Sequence, residues 1–300
     1  MAAGVVKLKR VAQDGMRVRA SAGAGSLRRQ EKLKGYLDAA RQQVDTLKRQ
    51  VVEDPGAASR RKQAAQARAA REREERIEKA LARLPELAEI KQRQGKKPDD
   101  ARASTTDAQA TVMKMGDGLS RAAYNVQYGT DAESQVIVGV GVVTAGSDPG
   151  QMTPMVEQVT ERCGRAPEEW LVEGGYPGHE QIDALAEQTT GYAPVPKPKD
   201  QHADPQAPKA GDSEAVAAWR ERMGTDQAKA IYKERAATAE CVHAQARNRG
   251  MIRLQVRGLD KVKGVAVLFA LAHNLMRMVS LAPALLGIGT ATSAVPGWLG

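Results

Sequence analysis

The stretch Gln-Val-Ile-Val-Gly-Val-Gly-Val-Val-Thr, residues 135–144, decides the fold class. It is a nearly unbroken run of apolar, mostly β-branched residues, which predicts a buried strand. Residues 123–128 predict a second strand just before it. After it, residues 152–162 predict a helix, residues 169–172 a short buried strand, and residues 179–188 another helix. This order predicts an α/β fold, with a mixed sheet flanked by helices.

The N-terminal third predicts two hairpins. Residues 5–21 alternate apolar and basic residues around Asp14-Gly15, a pair typical of a β-hairpin turn. Further on, a seven-residue apolar repeat from Leu33 to Val51 predicts a helix that begins after Ser26. A second, basic helix is expected over about residues 57–83. Because three heptads are marginal for a free coiled coil, we expect the two helices to pack together.

The charge of the chain is unevenly distributed. The net charge is +9, but residues 1–100 hold 25 Lys/Arg against 14 Asp/Glu, whereas residues 101–300 hold 20 against 22. Such asymmetry favours a polyanionic partner, most simply nucleic acid. The alternative is a solubilising helical face.

Several classes of protein are excluded or disfavoured by composition. The two cysteines, Cys163 and Cys241, lie far apart without metal-ligand spacing, which disfavours a disulfide scaffold and a zinc finger. The N-terminus lacks the apolar core of a secretory signal. The most apolar run, residues 264–272, is shorter than a membrane span. We therefore expect a cytoplasmic protein that makes no contact with membranes.

The stretch Tyr232-Lys-Glu-Arg235-Ala-Ala-Thr-Ala-Glu240 is the main candidate for function. It predicts a helix, which Arg247 and Arg249 extend. A carboxylate among guanidinium groups suits a metal ion held near phosphate groups, because the acid binds the cation and the arginines bind phosphate oxygens. The alternative is an ordinary solvated helix face.

This stretch resembles the tyrosine–arginine–glutamate signature of bacterial insertion-sequence DDE transposases, which have an RNase H-like catalytic domain. Four other stretches resemble the same family in the expected order: residues 104–107 (STTD), 123–131 (AYNVQYGTD), 169–176 (EWLVEGGY) and 271–277 (LAHNLMR). The resemblance implies DNA phosphodiester cleavage and strand transfer with two divalent cations about 4 Å apart. It also implies transposon ends and target DNA as partners, and a homodimer in the DNA complex.

The resemblance also implies a set of site residues. Asp107, Glu173 and Glu240 would be the three catalytic acids and metal ligands, with Mg²⁺ as the cation and Mn²⁺ as a substitute. The side chains implied in DNA binding are Tyr232, Arg235, Arg247 and Arg249. Asp131 is the alternative first acid, although a position between two strands favours a turn. Asp148 is expected in a turn or a helix cap.

Two departures from the family pattern affect the expected activity. The second acid is Glu173, where the family has Asp. The extra methylene of Glu displaces the carboxylate by more than ~1 Å. In addition, Met1 almost directly precedes the matching region, so we expect the helix-rich segment that reads transposon ends in relatives to be missing. The first hypothesis is thus a transposase, with one altered acid and a shortened N-terminus. The alternatives are a catalytically inactive DNA-binding remnant and a helical adaptor.

These predictions together give an expected domain organisation. The domains are a β-hairpin in residues 1–25, a basic helical hairpin in 26–100, an RNase H-like domain in 101–281 with a flexible insertion at 194–213, and a flexible tail in 282–300.

Overall fold

The sheet is built around the first strand of the chain. The computed structural model describes residues 4–54, 59–198, 202 and 204–286. Its strands are β1 (Arg10–Arg19), β2 (Leu27–Arg28), β3 (Ala103–Ser104), β4 (Thr111–Lys114), β5 (Ser120–Asp131), β6 (Ile137–Val143), β7 (Glu169–Leu171) and β8 (Thr190–Tyr192). Its helices are α1 (Gln30–Glu53), α2 (Arg60–Arg93), α3 (Met152–Cys163), α4 (His179–Leu185), α5 (Glu214–Gly224), α6 (Asp226–Asn248) and α7 (Leu259–Leu281).

The predicted β-hairpin around Asp14-Gly15 is wrong. β1 continues through this pair and forms an antiparallel ladder with β5, in which Asp14 faces Tyr128 and Gly15 faces Gln127. The backbone groups of Asp14 and Gly15 therefore bond to a neighbouring strand. In a hairpin turn, these groups would not form such ladder hydrogen bonds. The N-terminal residues are thus part of the main sheet and do not form a separate unit.

The sheet is mixed, as predicted. Its strand order is β6-β5-β1-β7-β8, with β4 also paired to β5. β5 runs antiparallel to β1, β4 and β6, whereas β1, β7 and β8 run parallel. The α/β class and the strands expected near residues 123–128, 135–144 and 169–172 are confirmed. The short strands β2, β3, β4 and β8 were not predicted, because none carries a long apolar pattern.

Helices cover both faces of this sheet. α3, α4 and α5 enclose one core with Val11, Trp170 and Leu171 of the sheet. The C-terminal half of α6 and α7 enclose a second core with Met16 and Tyr124. The middle of β1 is therefore buried between two helical layers, which places any polar side chain there in a sheltered position.

The helical hairpin is an insertion in the α/β domain. α1 and α2 pack antiparallel around Leu33, Ala40 and Ile77, and the short ladder of β2 with β3 closes the base. The two predicted helices are confirmed, and α2 continues past Pro85 to Arg93. The expectation that this unit precedes the α/β domain is wrong, because β1 lies before it in the chain and in the centre of the sheet.

The C-terminal half differs from the prediction in detail. The helical region after residue 213 divides at Thr225, whose hydroxyl caps α6 by accepting a hydrogen bond from the amide of Ala228 at 3.1 Å. Of the predicted insertion at 194–213, residues 199–201 and 203 lie outside the described residues, as do residues 287–300 of the predicted tail. α7 is long and apolar enough to span a membrane by length and composition alone.

Candidate functional site

Asp14 of β1 and Glu173, two residues beyond the end of β7, contact the same arginine. Ala12 of β1 pairs with Leu171 of β7, so two residues further along Asp14 and Glu173 reach the same level. Arg235 of α6 contacts both: its guanidinium donates to Asp14 Oδ2 at 3.3 Å and to Glu173 Oε1 at 3.0 Å. The two carboxylates are therefore held around one cation.

Arg235 reaches this position from a buried face of α6. Its side chain is only 9% exposed, and its guanidinium carbon lies 5.8 Å from the centre of the Tyr232 ring, one helical turn earlier. Burial raises the pKa of the half-buried Tyr232. Of the four residues predicted to bind DNA, these two thus lie at the acidic pair, and Arg235 is engaged by carboxylates.

Asp148 approaches the pair from across β1. Its Oδ1 accepts hydrogen bonds from Asn125 Nδ2 at 2.8 Å and Gln127 Nε2 at 2.7 Å. Burial raises the pKa of Asp14, and the negative charge of Asp148 acts in the same direction, while the Gly15 amide and Arg235 oppose it. The prediction that Asp148 lies in a turn is compatible with its place between β6 and α3, but its carboxylate binds the sheet.

His243 completes the buried surroundings of Asp14. Its Nδ1 lies 3.8 Å from Asp14 Oδ2, and its side chain is 7% exposed. Burial, with a contribution from the positive charge of Arg247, lowers the pKa of His243 to about 4. The ring is therefore neutral at pH 7, and Arg235 is the cation in contact with the acidic pair.

Asp107 lies at a different place in the molecule. Its carboxylate accepts hydrogen bonds from the Tyr124 hydroxyl at 2.8 Å and the Gly258 amide at 3.3 Å, and the residue is 4% exposed. These contacts tie β5 to the start of α7. The structure does not bring Asp107 together with Glu173. The alternative first acid, Asp131, accepts from the amide and hydroxyl of Ser134, as expected of a turn.

Glu240 is exposed on α6. One turn after Arg235, the residue that faces the sheet is Ala239, which is 3% exposed, and Glu240 is rotated by about 100° from it. Within the described part of the chain, the Glu240 carboxylate forms no hydrogen bond or ion pair. Arg247 and Arg249 are also exposed further along, with the Arg249 guanidinium over the Phe269 ring.

The donor set at Asp14 and Glu173 has the chemistry of a site for a hard cation. Two carboxylates supply oxygen ligands, and the space between them already holds a positive group. Within the part of the chain that the structure describes, no three His, Cys, Asp or Glu side chains are arranged to hold a metal ion. The structure thus brings two carboxylates together at this place, and Asp107 is not beside them.

Sequence reasoning missed Asp14 because its Asp-Gly pair is also a turn signal. A weaker signal was available in the two-residue alternation, since Asp14 occupies the same series of positions as Ala12, Met16 and Val18. An acid at a position that otherwise carries apolar residues on a strand is a candidate buried functional group.

Comparisons with known proteins bear on the C-terminal part of the chain. Residues 203–279 match the family model of the transposase DDE domain. This range contains α5, α6 and almost all of α7, and therefore Tyr232, Arg235 and Glu240. No curated protein and no solved structure matches the chain. The resemblance derived from the sequence is thus confirmed over residues 203–279, which are similar to the transposase DDE domain.

Proposed function

We propose that the chain is an insertion-sequence transposase that cleaves DNA phosphodiester bonds and transfers the strands, with the acidic pair Asp14 and Glu173 as the core of its site. The observation that carries the proposal is the contact of both carboxylates with Arg235 of the transposase domain. The strand order β6-β5-β1-β7-β8, antiparallel on one side of β1 and parallel on the other, supports an RNase H-like sheet.

In this proposal Asp14 takes the role of first acid that the sequence assigned to Asp107. Asp14 and Glu173 would hold Mg²⁺, or Mn²⁺ in its place, and Glu240 remains the proposed third ligand. When bound, the divalent cations stabilise charge on the attacking and leaving oxygens. Arg235 balances the two carboxylates and is the nearest guanidinium to a phosphate placed there.

The remaining proposed contacts lie on the outer part of α6. Arg247 and Arg249 are exposed, so their guanidinium groups are accessible to phosphate oxygens of DNA. Tyr232 holds the Arg235 side chain from one side. Transposon ends and target DNA, a homodimer in the DNA complex and a cytoplasmic, nucleoid-associated location belong to the same proposal.

α7 is held against the sheet by polar contacts, which supports the proposal that the protein acts on DNA without crossing a membrane. Asn274 exchanges two hydrogen bonds of 2.8 Å with the backbone of Ile137, and Arg277 Nε donates to the Ser134 carbonyl at 2.9 Å. These polar contacts fix α7 to the β5–β6 connection.

A catalytically inactive DNA-binding protein is the second candidate. It is favoured by the exposed position of Glu240, with Ala239 on the face that meets the sheet. In that case the acidic pair and Arg235 would stabilise the fold without binding a cation.

Plasmid nicking with Mg²⁺ or Mn²⁺ tests the proposal. We expect Asp14→Asn and Glu173→Gln each to remove metal-dependent nicking, because each variant loses a charged oxygen ligand. Asp107→Asn should retain nicking in whatever fraction of the protein folds. Asp117→Asn, at an exposed acid paired with Arg121, is the control. Full nicking by Asp14→Asn, or loss of nicking in folded Asp107→Asn alone, would return the role of first acid to Asp107. No nicking by the wild type, with DNA binding intact, would favour the second candidate.

A further inference from the structure

A basic cleft lies between the helical hairpin and the start of α7. Its volume is about 740 Å³, within the range of sites that take molecules larger than an inorganic ion. We call it the hairpin cleft. Its charged lining residues are Arg76, Lys79, Arg83, Asp107, Arg257 and Lys261. Three cations from α2, one from the segment before α7 and one from α7 itself thus line one concave surface.

Three of these cations are available to a ligand. Arg83 is engaged by Glu86 and by Thr144 Oγ1, and Arg76 lies 3.8 Å from Glu72. By contrast, Lys79, Arg257 and Lys261 are exposed and form no ion pair with any described residue. The hairpin cleft therefore has an excess of positive charge that the chain itself does not neutralise.

The polar groups at the floor of the hairpin cleft already form hydrogen bonds within the protein. Asp107, the one acid among the described lining residues, is bound by Tyr124 and the Gly258 amide. The next amide, that of Leu259, donates to Gln109 Oε1 at 2.8 Å. A ligand would thus contact the cationic side chains, since these amides at the start of α7 are occupied.

A further exposed cation lies beyond the cleft along α2. Arg68 is exposed and lies eleven positions before Lys79, about three turns away on the same helix face and roughly 16 Å along the axis. Duplex DNA carries one negative charge per about 1.7 Å of its axis, so this length matches several successive phosphates. Glu72 and Glu75 lie between these two cations on the same face, so Arg68 and Lys79 form two separate points of contact for a long polyanion.

We infer that the hairpin cleft binds the phosphate backbone of duplex DNA, through Lys79, Arg257 and Lys261. The identity of the polymer rests on the proposed function. The cleft reaches β5 at Tyr124, which pairs with Val18, four residues along β1 from Asp14 and therefore about 13 Å away. The inserted hairpin thus provides a DNA contact separate from the acidic pair, and bound DNA spans from the catalytic domain onto the hairpin.

The test is the salt dependence of DNA binding by the full chain. Affinity for a fluorescent duplex of random sequence is measured by anisotropy at several salt concentrations, without divalent cations. The cleft variant combines Lys79→Ala, Arg257→Ala and Lys261→Ala. The control variant combines Lys32→Ala, Arg49→Ala and Lys62→Ala, which removes the same charge from exposed, unpaired positions outside the cleft.

The cleft variant should reduce the slope of log K against log salt by about three, because each lost phosphate contact removes roughly 0.9 from the slope. The control variant should reduce it far less. Equal slopes for the two variants overturn the inference, and so does an RNA duplex that binds the cleft in preference to DNA. Lysine acetylation gives a second measure: DNA should protect Lys79 and Lys261 but not Lys32 and Lys62.

The outcome is independent of catalysis. Because no divalent cation is present, a chain that never cleaves DNA gives the same slopes. The predicted slopes without nicking would contradict the proposed cleavage alone, whereas nicking with equal slopes would contradict this inference alone.

Discussion

At the scale of single residues, Gly15 shows how the site depends on the absence of a side chain. A Cβ at this position would lie 2.6 Å from Asn125 Oδ1 and 2.7 Å from Asp148 Oδ1, and closer still to Gln127 Nε2. These three side chains are joined by hydrogen bonds, so none can move without loss of a contact.

We predict that Gly15→Ala lowers the free energy of unfolding by about 1–3 kcal/mol, as overpacking of a well-packed interior does. Gly35→Ala is the control, because Gly35 lies in α1 with no atom within 4 Å of an added Cβ. That change should raise stability by about 0.5–1 kcal/mol. Urea denaturation measures both, and equal effects of the two changes would contradict the packing around Gly15.

Glu173 allows a prediction about activity. Glu173→Asp shortens the side chain to the family length, which should move the carboxylate away from Arg235 and closer to the end of β7. We expect this change to raise metal-dependent nicking, because Mg²⁺ requires near-ideal ligand geometry. It should not restore full transposition. A plasmid-nicking assay compares the wild type, Glu173→Asp, and Glu173→Asp combined with Glu240→Ala. If the double variant nicks as well as Glu173→Asp, Glu240 is not part of the site.

At this scale, the sequence drew attention to Glu173 and Arg235 but not to Asp14, which contacts the same arginine. The first two lie in motifs whose local pattern is characteristic. Whether Asp14 lies in a turn or inside a strand depends on a partner strand more than a hundred positions away, since Asp14 pairs with Tyr128. A local turn signal could not be distinguished from an acid inside a strand.

At the scale of elements, α7 is docked by polar side chains. His273 is 1% exposed, and its Nε2 lies 2.7 Å from the Gln135 carbonyl oxygen. Burial lowers the pKa of His273, which outweighs the contact with that carbonyl. Gln135 itself has a positive φ of 59°, so the helix holds a backbone conformation that is uncommon for a residue with a side chain.

The lowered pKa of His273 predicts a loss of stability in acid. Below about pH 6.5 the unfolded chain binds a proton at this histidine while the folded chain does not, so the free energy of unfolding falls as the pH falls. His273→Gln should flatten part of this dependence between pH 7.5 and 5.5, measured by denaturation at each pH. His243 contributes in the same direction and remains in the variant. An unchanged pH dependence would show that His273 is protonated equally in both states.

The helices and strands were predicted better than the way in which they pack against one another. The run at residues 135–144 and the apolar repeat of α1 identified a buried strand and a long helix from local periodicity alone. Whether the Glu240 side chain faces the sheet or the solvent could not be predicted from this periodicity. Helix periodicity places Arg235 and Glu240 on one broad face, but only the packed sheet shows that Ala239 is buried and Glu240 exposed.

At the scale of the whole molecule, the helical hairpin is a removable insertion. Leu27 pairs with Ser104 and Arg28 with Ala103, so the chain leaves and re-enters the domain at the same place. A two-residue Asn-Gly turn between Arg28 and Ala103 would suit this antiparallel pair. Deletion of residues 1–100 would instead remove β1 and with it the centre of the sheet.

We predict that the chain with residues 29–102 replaced by Asn-Gly still unfolds cooperatively, because the main sheet and both of its cores remain. Its affinity for duplex DNA should fall, with a shallower salt dependence, since Lys79 is removed with the hairpin. Thermal denaturation and anisotropy measure the two properties. A folded variant with unchanged DNA affinity would locate the DNA contacts outside the hairpin.

The central position of β1 also determines how the protein can assemble on the ribosome. β1 is synthesised first, but its partners are residues 120–131 on one side and residues 169–171 on the other. At about 5–20 residues per second, the nascent chain carries an unpaired β1 for at least several seconds before either neighbour emerges. α1 is synthesised early in that interval, and α2 is completed only towards its end. Translation speed through residues 20–171 therefore sets how long the future centre of the sheet is open to chaperones and to aggregation.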